Sequence, residues 1–263
     1  MATSFTALMR SAREERGSLS VEVPDDWMQG RSAFGGLQVA LALRAMRGLV
    51  PGLPLRTVQA VFYAPVPAGP RRVRAQVMRS GANVTHAEAR VEGDGGATLA
   101  LVIGVFGAAR RSAVQVTPEQ PAVAASETIE LPRVPGITPS FTQQFDVRWL
   151  RGRPPFSGDS ARAHTVEVSL VDEGPVTEGH IMLIADFMPP LGLSHLRAPA
   201  PGSTLTWMLE IFDHRFEHLP LAGWRVDAEL LAARDGYTSQ TTAIWAPGAV
   251  PVAAGRQCMV IFG

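Results

Sequence analysis

Three short segments recur in this chain in the same order. "FYAPVPAG" at residues 62–69 is matched by "FEHLPLAG" at 216–223, which shares its first residue and its last two. "RVRAQV" from Arg72 is matched by "RVDAEL" from Arg225, and "VIGVFG" ending at Gly107 by "MVIFG" ending at Gly263. The spacing between partners is nearly constant, with drifts small enough for turn insertions. Repeats in register point to two related halves.

The halves read alike. In the first, "AFGGLQVALALRAMRGLVPG" places Leu37, Leu41, Ala45 and Leu49 on one face, starts at Gly35-Gly36 and stops at Pro51-Gly52, which predicts a mostly buried helix. Extended segments follow: "LRTVQAVFYAPV", "RRVRAQVMRSG", "VTHAEARVEG" and "ATLALVIGVFG". Thr85, Ala87, Ala89 and Val91 alternate with His86, Glu88 and Arg90, the period of a half-buried strand. The second half is expected to carry a helix from about His180 to Met188. After it come "STLTWMLEIFDHRF", "WRVDAELLAARDG", "TSQTTAIWAPG" and "GRQCMVIFG". Between the halves, Pro118, Pro121, Pro132, Pro135 and Pro139 preclude long regular elements, so this stretch reads as a tether over the surface. The expected division is residues 1–110, a tether of 111–140, and residues 141–263. One apolar helix followed by strands only, twice, implies an α+β fold of antiparallel sheet curved around helices and argues against a parallel sheet.

Composition removes several chemistries. All 24 basic residues are arginine, so Schiff-base chemistry, lysine-anchored pyridoxal phosphate and the P-loop lysine are excluded together. The six histidines have no compact ligand spacing and no metal is expected; no cofactor is expected either. A net charge of zero offers no pull toward nucleic acid. No apolar run approaches the roughly 20 residues that span a bilayer. Residues 1–17 lack the pattern of a secretory signal, and the single Cys258 excludes an intrachain disulfide framework. A cytoplasmic protein without a membrane or nucleic-acid partner is the expectation.

Within "LIADFMPP", Asp186 interrupts an apolar run that two prolines close. An ionised carboxylate in a low-dielectric setting is paired, neutralised or functional. Backbone N–H groups or an arginine such as Arg256 would satisfy it; a reaction would use it.

"FGGLQVALALRAM", "VFYAPVPAG" and "SGANVTHAEARV" resemble segments of the acyl-CoA thioesterase II family, and the resemblance covers most of the chain outside the tether. It implies a double hotdog fold: two tandem halves, each a central helix wrapped by a curved antiparallel sheet. It also implies hydrolysis of acyl-CoA without a covalent acyl-enzyme, consistent with the absence of a GxSxG elbow. In the family an aspartate, a threonine and a glutamine hold a water molecule. The matching positions are Asp186, Thr206 (eight residues before His214-Arg215) and Gln257. Where the family has an Asp-His pair after the threonine, this chain has Met208 and Leu209, and Ser203 and Thr204 are rival hydroxyls.

Asp186 would anchor or deprotonate the water, with Thr206 and Gln257 orienting it. Backbone N–H groups at Gly35 and Gly36 would bind the substrate by polarising the thioester carbonyl, or the glycines would serve close packing alone. Arg71, Arg72, Arg74 and Arg79 are either a solvated strand face or a site for coenzyme A phosphates. Trp207, Met208, Leu209 and Phe212 are core or the wall of an acyl tunnel. Cys258 reads as a small buried hydrophobe. Two other functions remain open at this level: an acyl-CoA-binding protein without catalysis, and a hydratase-like hotdog, which would want a histidine near the aspartate. Two fused halves supply each other's partner surface; a further homodimer is compatible.

Overall fold

The computed structural model describes residues 2–124 and 127–262. Helix α1 (Phe5–Ser11) leads into β1 (Arg13–Glu15) and β2 (Ser18–Val23), then a small ladder of β3 (Met28–Gln29) and β4 (Ser32–Ala33). Helix α2 (Gly35–Arg47) is followed by β5 (Leu55–Phe62), β6 (Gly69–Ser80), β7 (Val84–Glu92) and β8 (Thr98–Gly107). After β9 (Ile129–Glu130) come β10 (Phe145–Arg151), β11 (Ala163–Leu170) and α3 (Glu178–Ala185). The chain ends with β12 (Gly202–Ile211), β13 (Trp224–Arg234), β14 (Tyr237–Ala246) and β15 (Val250–Ile261).

Among the described residues thirteen strands form one sheet in the order β1-β2-β6-β7-β8-β5-β12-β15-β14-β13-β11-β10-β9, and its ladders are antiparallel. The order reads the same outward from the β5–β12 seam: β5, β8, β7, β6, β2 on one side and β12, β15, β14, β13, β11 on the other. The repeated sequences therefore occupy matching places, "RVRAQV" in β6 and "RVDAEL" in β13. Val73 and Val226, the valines of these two segments, are both fully buried. The arrangement is α+β.

Ala, Leu, Met and Arg make α2 a strong helix former. It is buried almost all round, with Arg44 its exposed residue, because sheet and α3 enclose it. The two helices run antiparallel. Arg47 at the end of α2 pairs with Glu178 at the start of α3, and it also donates to the Val50 and Leu53 carbonyls. Each charge thus sits at the end of its own helix that favours it. At the other end Gly36 lets the backbones close up: a Cβ there would lie 2.8 Å from the Met182 carbonyl oxygen.

The alternation over residues 84–92 holds, with Thr85, Ala87, Ala89 and Val91 buried. Glu88 is the exception, turned into partial burial and paired with Gln76 and Arg90. The second helix differs from expectation. It begins at Glu178, capped reciprocally by Thr177 and His180, and ends at Ala185. Met188 precedes Pro189, and a residue before proline is driven out of the helical region. The tether's described residues hold β9 and little else that is regular, while residues 125 and 126 lie outside the described ones. Helix α1, β1–β4, β10 and β11 carry no strong sequence signal and emerge only in the fold. No helix is long and apolar enough to cross a membrane.

Candidate active site

The turn that ends α3 delivers Asp186. As the helix C-cap, with φ −94° and ψ −1°, it keeps one more backbone bond, its amide donating to the Met182 carbonyl at 3.2 Å. Its side chain is then carried toward the start of α2. The residue is 8% exposed and its carboxyl receives the Gly36 amide of α2 and the Gln257 side chain of β15. The latter bond, Gln257 Nε2 to Asp186 Oδ1, is 2.6 Å. Gly35 makes room: a Cβ on it would come within 2.6 Å of Asp186 Oδ2 and 3.4 Å of the Phe62 ring.

Electrostatically the site is divided against itself. Burial pushes the Asp186 carboxyl up to about 7, against the two hydrogen bonds that favour its charge. The C-terminus of α3 also disfavours a negative charge, whereas the N-terminus of α2 favours one. The result is a carboxyl poised near neutrality, the condition a general base needs.

Gln257 is 1% exposed, on the inward face of β15 opposite Trp207 of β12 and Gln240 of β14. The fold thus brings Asp186, Gln257, Gly35 and Gly36 together. It does not bring Thr206. That residue pairs with Cys258, and directly opposed residues share a face, so it points outward with Cys258 and is exposed. The cause is a bulge at Leu205 between Thr204 and Thr206. One extra residue reverses the facing of everything beyond it. Thr204 lies opposite Met259, which is 2% exposed, and so faces the interior. The expectation for Thr206 is corrected accordingly. The role expected of the glycine amides shifts as well, because the Gly36 N–H is directed at Asp186.

The other candidates separate too. Trp207 and Leu209 face inward, whereas Met208 and Phe212 are 38% and 45% exposed, so the four do not form one wall. Arg71 donates to the Pro67 and Ala68 carbonyls, and Arg74 pairs with Glu92. Arg79 sits with His86 and Arg110 around a surface pocket at the β6–β7 turn. That is the end of the sheet away from Phe62, so Arg79 does not converge on Asp186, whereas Arg71 and Arg74 lie level with Phe62 and are held by the partners just named. Cys258 is half-buried on the outer face. No group of three or more His, Cys, Asp or Glu able to hold a metal occurs among the described residues.

One buried residue went unnoticed in the sequence. Gln240 is fully buried, accepts from the Leu191 amide at 2.9 Å and donates to Gln257 Oε1 at 3.3 Å. Its neighbours Thr238 and Thr242 are also buried, and their hydroxyls have no hydrogen-bond partner among the described residues. "TSQTT" is polar on both faces, so period-two reading cannot say which face is inward. Thr238 also lines a cleft of about 260 Å³ with His195, Tyr237 and Ile261, whose lining includes neither Asp186 nor Gln257.

A family model described as the acyl-CoA thioesterase N-terminal domain matches residues 23–107, and the corresponding C-terminal domain model matches residues 115–261. No curated protein sequence matches significantly. Among solved structures, a conserved protein of unknown function with a hot dog fold from Alicyclobacillus acidocaldarius superposes with TM-score 0.84 at 18% identity, over 96% of each chain. A TesB protein of Mycobacterium avium subsp. paratuberculosis gives TM-score 0.77 at 11% identity, over 99% of this chain and 100% of that one. Acyl-CoA thioesterase II TesB2 from Mycobacterium marinum gives 0.70 at 16%, over 95% of each. At such identities the structures speak for the hotdog fold.

Proposed function

The chain belongs to the acyl-CoA thioesterase family, and on that premise we propose that it hydrolyses acyl-CoA to free acid and coenzyme A through a water activated by Asp186. The observation that carries this reading is the buried carboxyl held near 7 between Gln257 and the Gly36 amide. Asp186 takes a proton from the water as it attacks the thioester carbon, and Gln257 keeps the carboxylate oriented. The tetrahedral intermediate then collapses with departure of the coenzyme A thiolate, which takes up the proton that Asp186 had accepted. No side-chain nucleophile takes part. Thr204, not Thr206, is the hydroxyl we assign to the water, because the bulge turns it inward beside Met259.

We assign the architecture as a double hotdog, residues 1–110 and 141–263 forming the two halves and 111–140 the tether. The matching strand orders on either side of the β5–β12 seam support this. The site would then draw on both halves, Gly35, Gly36 and Phe62 from one and Asp186 and Gln257 from the other. The acyl-CoA is the partner, and the protein works without cofactor, membrane or nucleic acid, in the cytoplasm.

The test is thiol release from acyl-CoAs of short, long and aromatic acyl groups by the wild type and Asp186→Asn. A folded Asp186→Asn protein should lose about 100-fold or more of the rate. Saturable acyl-CoA binding by a wild type that turns over no substrate would overturn the reading and leave a binding protein.

A further inference from the structure

We infer that Gln240 is a positioning residue, which fixes the amide of Gln257 so that its NH2 and not its oxygen faces Asp186 Oδ1, favouring the ionised, proton-accepting carboxylate. The inference rests on the reading of Asp186 as the water-activating group. Asp186 is followed by Phe187, Met188, Pro189 and Pro190. The two prolines have no N–H, so Leu191 carries the next amide and the rigid pair sets where it points. That amide donates to Gln240 Oε1 at 2.9 Å, and Gln240 Nε2 lies 3.4 Å from the Pro189 carbonyl oxygen.

A carboxamide has oxygen and nitrogen of similar size, and its direction is set by its partners. The Leu191 amide can only donate. Gln240 must therefore present its oxygen there and its NH2 to Gln257. Gln257 in turn accepts on Oε1 and is left with NH2 for Asp186 Oδ1, at 2.6 Å. A proton on Asp186 Oδ1 would meet the Gln257 NH2 in place of an acceptor, so this direction of the amide disfavours protonation at that oxygen. The chain of bonds thus opposes the protonation that burial favours. The groups facing Asp186 are otherwise unable to titrate: the Gly36 amide and Gly35 of α2, Phe62 of β5, and the apolar residues Met182 and Leu183 on its own helix. Arg256 and Cys258, beside Gln257, point to the outer face, and His195 lies in the separate cleft.

The experiment is the pH dependence of kcat and KM for Gln240→Met and Gln240→Glu, with Asp186→Asn in parallel. Gln240→Met keeps the volume and loses the relay. Its kcat at pH 7 should fall about 10- to 100-fold with little change in KM, and its acidic limb should move up by about half a unit or more. In Gln240→Glu the protonated carboxyl can accept from Leu191 and donate to Gln257, whereas the ionised one cannot donate. This variant should keep the acidic limb of Asp186 and lose kcat again as pH rises and the introduced carboxyl ionises, a falling limb that the wild type lacks. If Asp186→Asn is inactive but both Gln240 variants keep the wild-type kcat and limbs, the relay is overturned and the reading of Asp186 stands. If Asp186→Asn keeps the wild-type rate, that reading falls and the relay with it. A lowered melting temperature with unmoved limbs would mark Gln240 as structural only, and would also overturn the proposal.

Discussion

At Asp186 the fold acts against the charge that hydrolysis needs. The folded state raises this carboxyl from 3.8 to about 7, so it binds a proton more tightly than the unfolded chain does. Stability from this group is therefore full below about pH 4 and is lost as pH rises through 7. Asp186→Asn keeps the shape and removes the ionisation. It should be more stable than wild type at pH 8, by at most about 4 kcal/mol, with the difference vanishing toward pH 4. Urea unfolding at pH 5 and pH 8 reads this directly, and equal stabilities at both would show that the carboxylate is not strained. Asp172 behaves oppositely. Though burial pushes it up, bonds from His180, the Glu173 and Thr6 amides and Ser4 hold it at about 2, so its contribution is present above pH 4 and is lost as pH falls through 2. The contrast separates a satisfied carboxylate from one kept partly unsatisfied. In sequence only Asp186 looks exceptional, because its neighbours are apolar whereas Asp172 is followed by Glu173 and Gly174.

Among the elements, β12 carries the most consequence per residue. The bulge at Leu205 decides which threonine faces the site, and a bulge is a property of the ladders to β5 and β15 rather than of "STLTWM". Thr204→Val should lower kcat by about 10-fold or more, while Thr206→Val should leave it within about twofold. Steady-state kinetics on both variants decide it, and the reverse ranking would make Thr206 and not Thr204 the hydroxyl that holds the water. The paired helices were more legible. Gly35-Gly36 marks the start of α2 in sequence, yet its cause is tertiary: α3 passes close enough that Met182 and Asp186 occupy the space of a Cβ. His180, by contrast, is drawn out of any catalytic role by Thr177 and Asp172, which bond both of its ring nitrogens.

Across the whole molecule, the β5–β12 ladder and the α2–α3 pair join what sequence reads as two repeats. Val58 and Leu209 face each other across the seam, both essentially buried, and Arg47 bonds Glu178 at its far end. One hydrophobic core runs through both sides. The chain should accordingly unfold in a single transition. Native-state hydrogen exchange should give the slowest amides of β7 and β14 the same opening free energy and denaturant slope. Two distinct values would mean that the halves are separate folding units. The repeats, the order of helix and strands, the apolar faces and the isolated Asp186 are all readable from the chain, because each depends on residues a few positions apart. The direction of Thr204, the burial of Gln240 and the placing of the Gly36 amide against Asp186 are not. They depend on which strand lies alongside and which helix crosses, and a polar side chain carries no mark of whether its neighbours in space exclude water.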